Sequence, residues 1–168
     1  MTRRAGPEFA GPTGSADDAR DVDDMAAVTE LLGRRPDGAF EVAVRADNGR
    51  PAVIANAPFL ADGTPMPTRF WLVDPDLRNA VSTLESTGGV REAESAVPAD
   101  QVSAAHARYA EERDRLIPSD HVGPRPSGGV GGTRQGVKCL HAHLAWWLTG
   151  GDDPVGEWTA RRIGLHPT

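Results

Sequence analysis

Hydrophobic positions are spaced in two ways along this chain, and the spacing predicts its elements. Met25, Val28, Leu31 and Leu32 recur every three or four residues, which predicts a short helix from about Asp23 to Leu32, stopped by Gly33. Phe40, Val42 and Val44 then alternate with Glu41, Ala43 and Arg45, the two-residue period of a half-buried strand. Asp47-Asn48-Gly49 supplies turn residues that tolerate positive φ, so a second strand around Ala52 to Ala57 completes a hairpin, and Pro51 places the start of that strand at an edge. Three prolines around Asp62-Gly63 make residues 58–68 a rigid loop, and Phe70-Trp71-Leu72-Val73 reads as a third strand.

The helical period returns after Asp74-Pro75, an N-cap followed by proline at the first helical position. Leu77, Ala80, Val81 and Leu84 form the inward stripe of that helix, which ends at Gly88-Gly89, and Val90 to Val97 adds a turn or two. A longer helix from about Ala99 to Leu116 buries Val102, Ala105, His106, Tyr109, Arg113 and Leu116, while Arg108–Glu112 and Glu111–Arg115 pair along a solvated face. Residues 118–136 hold glycine and proline without periodicity, a loop long enough to be either disordered or functional. Beyond it lies the most apolar helix, about Val137 to Thr149, with Val137, Leu140, Leu144 and Leu148 in one stripe and Trp146 and Trp147 beside it; such a helix belongs at the centre. Pro154 to Ile163 forms a last short helix. The pattern predicts an α+β fold: a small antiparallel sheet, hairpin plus third strand, packed by four to six helices. Residues 23–166 make one unit, preceded by a disordered acidic tail over residues 1–22.

Composition narrows the function classes. Within 168 residues no apolar run approaches the roughly 18 needed to span a bilayer, and no signal-like stretch stands at the N-terminus. One cysteine rules out an internal disulfide and fits a reducing, cytoplasmic setting. A net charge of −6 argues against broad nucleic-acid binding.

Candidate chemistry gathers at the start of the 137–149 helix. Gly131-Gly132-Thr133-Arg134-Gln135-Gly136-Val137-Lys138 feeds a glycine-rich loop into a helix, whose unpaired N–H groups and dipole attract anions. Arg134, Gly136 and Lys138 therefore form a candidate site for a phosphate-type ligand, and the leading expectation is a small-ligand, anion-binding or regulatory domain with its site at this helix start. The run is no nucleotide-binding P-loop, because Val137 separates Gly136 from Lys138 and Cys139 stands where a hydroxyl belongs. Cys139-Leu140-His141-Ala142-His143 offers a second chemistry. A thiolate in the first turn faces the helix's positive end, and a neighbouring imidazole accepts its proton, so Cys139 with His141 or His143 suits a hydrolase or transferase. Helical spacing puts Cys139 and His143 on one face and turns His141 towards the apolar stripe. A metal is the weaker alternative: Cys139 and His143 are the two that share a face, and His106, His121 and His166 are uncommitted. Thr68, Arg69 and Trp71 are candidate ligand-lining residues, Trp71 being foremost a core residue. A third class of function is a protein-partner module that uses the tryptophans or the 118–136 loop.

Asp62-Gly63-Thr64-Pro65, Pro67-Thr68-Arg69-Phe70-Trp71-Leu72, Leu84-Glu85 before Gly88-Gly89, Tyr109-Ala110-Glu111-Glu112-Arg113-Asp114, Val137-Lys138-Cys139-Leu140-His141 and Pro154-Val155-Gly156 occur together and in order. In these the chain resembles an actinobacterial family of unknown function, number 501, over roughly residues 25–163. The resemblance implies a cytosolic bacterial protein without an assigned activity, and partners among an exopolyphosphatase and a small septum-formation coiled-coil protein encoded nearby in relatives. It also implies that His141, rather than His143, accompanies the shared cysteine. Relatives often carry cysteine after the arginine matching Arg45; here Ala46 stands there, so a metal site built on that cysteine would lack a ligand.

Overall fold

A computed structural model describes residues 15–166. Along the chain run α1 (Ser15–Leu32), β1 (Phe40–Arg45), β2 (Pro51–Asn56), β3 (Phe70–Leu72), α2 (Pro75–Ser86), α3 (Gly89–Ala96), α4 (Ala99–Asp114), a 3-10 turn (Val130–Gly132), α5 (Leu140–Leu148) and α6 (Pro154–Arg162). The fold is α+β, with six described helices packed on a three-stranded antiparallel sheet of order β1-β2-β3. Among the described residues no helix is long and apolar enough to cross a membrane. The first helix begins eight residues before the expected Asp23, so residues 15–22 lie in α1 rather than in a tail; residues 1–14 of that tail lie outside the described residues.

Period-two patterning gives the sheet two apolar faces. β2 is buried along its whole length and is the central strand. Pro51 is therefore not on an edge strand, and it is tolerated as the first residue of the strand. Ile54 packs with Val28 of α1 and with Val73, backed by Leu31, Phe40, Val42 and Trp71. Val53 and Ala55 face the other way, with Phe70 and Leu72, into the larger core built with α2–α6. Val44 departs from the simple alternation. A register irregularity between Val42 and Val44 sets Val44 opposite Val53, and it packs against the larger core while Phe40 and Val42 stay on the α1 side.

α5 is central to the larger core: Leu140, Leu144 and Ala145 are fully buried, and Trp146 nearly so. It crosses α6 at Gly156, where an added Cβ would stand 2.5 Å from the His143 carbonyl oxygen, so only glycine allows this approach. Asp153 caps α6 by accepting from the Val155 and Gly156 amides at 3.0 and 3.1 Å.

The 118–136 loop is tied into the core rather than free. The Arg113 side chain, 1 % exposed, donates to the carbonyls of Gly128 and Pro67 at 2.9 and 3.1 Å, and Val130 is fully buried. On α4 one expected surface pair forms, Arg115 to Glu111 at 2.6 Å. The other does not, because each member has a tertiary partner: Arg108 donates to the Asp152 carbonyl at 2.8 Å, and Glu112 accepts from the Trp146 indole at 2.8 Å.

Candidate functional site

The chain turns helical at Leu140, three residues after the expected Val137. Cys139 is the N-cap, with extended backbone (φ −150°, ψ 115°), and its side chain makes no capping hydrogen bond. Two distant carboxylates hold amides here instead, one in the helix and one just ahead of it. Glu85 of α2 accepts from the Leu140 amide at 2.7 Å, and Glu94 of α3 accepts from the Val137 amide at 2.9 Å. A carboxylate at a helix start satisfies an orphan donor and complements the dipole. Two amides expected to receive an anion are thus held by the protein's own acids. Lys138 and Arg134 are both exposed, and the Gly136 carbonyl lies 2.8 Å from His106 Nε2. Arg134 borders a separate depression with His106 and Arg113, so Arg134, Gly136 and Lys138 do not converge on one ligand position.

Because Cys139 precedes the helix, helical spacing does not govern its neighbours. It meets His141 and not His143, which corrects the expectation from the i,i+4 pattern. Among the described residues, Glu85, Cys139 and His141 each offer a ligand atom, all within 4.8 Å of one another. His141 Nδ1 is 3.2 Å from Glu85 Oε1; its Nε2 is 3.2 Å from Ser82 Oγ and 3.3 Å from the Arg78 carbonyl oxygen. The Arg78 carbonyl and the Glu85 carboxylate can both only accept, so a neutral ring donates to one of them and a protonated ring donates to both, Nε2–H to Arg78 and Nδ1–H to Glu85. The imidazole is held above its usual range, first by its hydrogen bond to Cys139, then against the opposing effect of burial by the Glu85 charge.

Cys139 and His141 of this trio line a cavity of about 510 Å³ bounded by α1, β3, α2 and α5. Cys139, His141, Thr68 and Trp71, picked out separately along the sequence, all line it. Leu32, Phe70 and Leu72 make its apolar wall, and Arg78 and Ser82 contribute polar groups. Trp71 is half-buried rather than a full core residue, with the Arg34 guanidinium 5.7 Å from its ring centre. Arg69 is turned to structural use: its guanidinium donates to the Asn56 carbonyl at 2.8 Å and lies over the Phe70 ring.

A family model described as protein of unknown function (DUF501) matches residues 42–161. The chain belongs to this family. The DUF501 match runs from within β1 to the last turn of α6, and so takes in Glu85, Cys139 and His141 while leaving α1 and its Leu32 outside. No curated protein and no solved structure matches the chain.

The remaining histidines lie elsewhere. His143 is fully buried and pairs through Nδ1 with Asp153 Oδ2 at 2.7 Å, while its Nε2 meets no hydrogen-bond partner among the described residues. His106 accepts from the Val130 amide at Nδ1 (3.0 Å) and donates from Nε2 to Gly136, and burial holds it below the usual imidazole range. His121 stacks on Phe59, and His166 is exposed. Sequence reasoning missed Glu85, Ser82 and Arg78. They lie on an amphipathic helix more than fifty residues upstream, where they read as ordinary solvated positions; the Leu84-Glu85 pair entered only through the family resemblance.

Proposed function

We propose that this DUF501 protein is a cysteine-dependent enzyme, a hydrolase or transferase, acting on a small substrate held in the cavity between β3, α2 and α5. One observation carries the reading: Cys139 and His141 come together at the wall of a cavity. A thiol beside an imidazole that can take its proton is the pair on which thiol catalysis depends, and the Arg78 carbonyl, accepting from Nε2–H, orients the ring for it. In the first step the Cys139 proton passes to His141 as sulfur bonds to the electrophilic centre of the substrate. The leaving group then departs with that proton, and water or a second acceptor releases the product and restores the thiol. Leu32, Phe70, Trp71 and Leu72 suit an apolar substrate body, and Arg78 suits an anionic substituent. An anionic ligand thus keeps a place in this reading, at the cavity rather than at the capped helix amides. A thiol that must stay reduced also fits the cytoplasm.

Cys139 is the sole cysteine of the chain, so its alkylation by iodoacetamide can be followed by intact mass. In metal-free protein near neutral pH it is expected to react faster than free cysteine, and His141→Ala is expected to slow it. A native Cys139 no faster than free cysteine would overturn the proposal.

A further inference from the structure

We infer that Glu85, Cys139 and His141 form a binding site for a thiophilic divalent cation of the zinc class. The argument begins with lone pairs. When His141 Nε2–H donates to the Arg78 carbonyl, Nδ1 offers its lone pair 3.2 Å from a glutamate oxygen, and the ring stands in one group with the thiol sulfur. Three electron-pair donors from α2, the N-cap and α5 thus surround one point at the edge of a cavity. A proton bridges one such contact; a divalent ion joins all three.

Donor chemistry selects the ion. Sulfur with imidazole nitrogen disfavours magnesium and calcium, which take oxygen ligands, and suits zinc. Zinc–ligand lengths of about 2.0–2.3 Å place tetrahedral donors within about 4 Å of one another, so a trio already within 4.8 Å closes on an ion by a small side-chain adjustment. Three protein ligands leave the fourth position open, the arrangement of zinc sites that admit water or a ligand, and Cys139 and His141 both border the cavity. The outer shell is also in place. The Nε2–H to Arg78 carbonyl contact, with Ser82 alongside, is how a metal-binding histidine has its tautomer and ring orientation fixed. The Leu140 amide on Glu85 Oε1 likewise holds the carboxylate.

Binding replaces the thiol proton, which leaves to solvent, with a sulfur–metal bond. This part of the inference rests on the function proposed above and adds its regulation: an ion on Cys139 withholds the nucleophile until it is removed.

Cobalt(II) titration of the full chain tests the site, because a thiolate-to-cobalt charge-transfer band can arise only from Cys139. We expect the band to saturate at one equivalent and to be displaced by zinc, and zinc to protect Cys139 from iodoacetamide. His141→Ala and Cys139→Ala, each checked for native circular dichroism, are expected to weaken zinc binding by more than the roughly 10–100-fold typical of losing an outer-shell partner. Glu85→Gln, which keeps an acceptor for the Leu140 amide, provides a variant expected to fold and is expected to weaken it as well. Absence of the band, or zinc binding unchanged in folded His141→Ala, would overturn the inference. The two proposals fail separately: a fast thiol without the band removes the metal site alone, and the band with a sluggish metal-free thiol removes the catalytic reading alone.

Discussion

His141 and His143 stand two residues apart on α5, and each has a carboxylate beside its Nδ1, yet the two pairs differ in every respect that decides function. The His143–Asp153 contact is 2.7 Å long with both side chains fully buried; the His141–Glu85 contact is 3.2 Å, with about a quarter of each side chain exposed. Burial commits the first pair to architecture, since Asp153 also caps α6 and the His143 backbone lies against Gly156. Partial exposure leaves the second pair open to a thiol on one side and a cavity on the other. A histidine with a carboxylate at Nδ1 is sealed into packing or left at a cavity according to which face of α5 carries it.

The largest expected effect that sharpens this contrast is Asp153→Ala. It leaves a buried histidine unpaired and uncaps α6, and breaking a buried pair costs about 3–5 kcal/mol, readable as a lower urea midpoint. His141→Ala is expected to cost about 1 kcal/mol or less in the same measurement, because a partly exposed pair contributes little. Equal losses from the two substitutions would erase the distinction. Next in size is a pH effect at His106. Burial depresses its protonation in the folded state, so the unfolded chain binds the proton more readily. Stability is then full above the unfolded value of about 6.5 and declines as pH falls through it. Urea curves at about pH 7.5 and about pH 5.5 should show this decline, with a smaller change in His106→Gln. Lys138→Ala is the smallest, expected within about 0.5 kcal/mol and without influence on Cys139 alkylation. A large effect there would return attention to the loop-to-helix junction.

Local patterning made much of the fold legible. The hairpin turn at Asp47-Asn48-Gly49, the Asp74-Pro75 cap and the apolar density of α5 each specify their element through near neighbours. What escaped depends on long-range partners. Nothing adjacent marks the irregularity that sends Val44 to the other face. The 118–136 loop is tied down by Arg113, a charge that helical spacing placed inward without naming the carbonyls it would meet. Cys139 and His141 are legible as reactive types, but a helix starting at Val137 favours His143 as the neighbour of Cys139 over His141; with Leu140 as its first residue, Cys139 leaves the helical lattice and reaches His141. Their acid partner was beyond reach, as only tertiary packing sets Glu85 beside them.

One consequence concerns folding order. α5 carries no capping side chain of its own and takes the acceptor for its first amide from Glu85 of α2, fifty-five residues earlier, while Glu94 of α3 holds the Val137 amide just ahead of it. Nine residues are too few to hold a helix in water unaided. Opening should therefore be shared: amide hydrogens in α5 are expected to exchange with solvent in the same cooperative event that detaches α2, so the cavity wall that carries Cys139 and His141 would exist only while the two helices are joined.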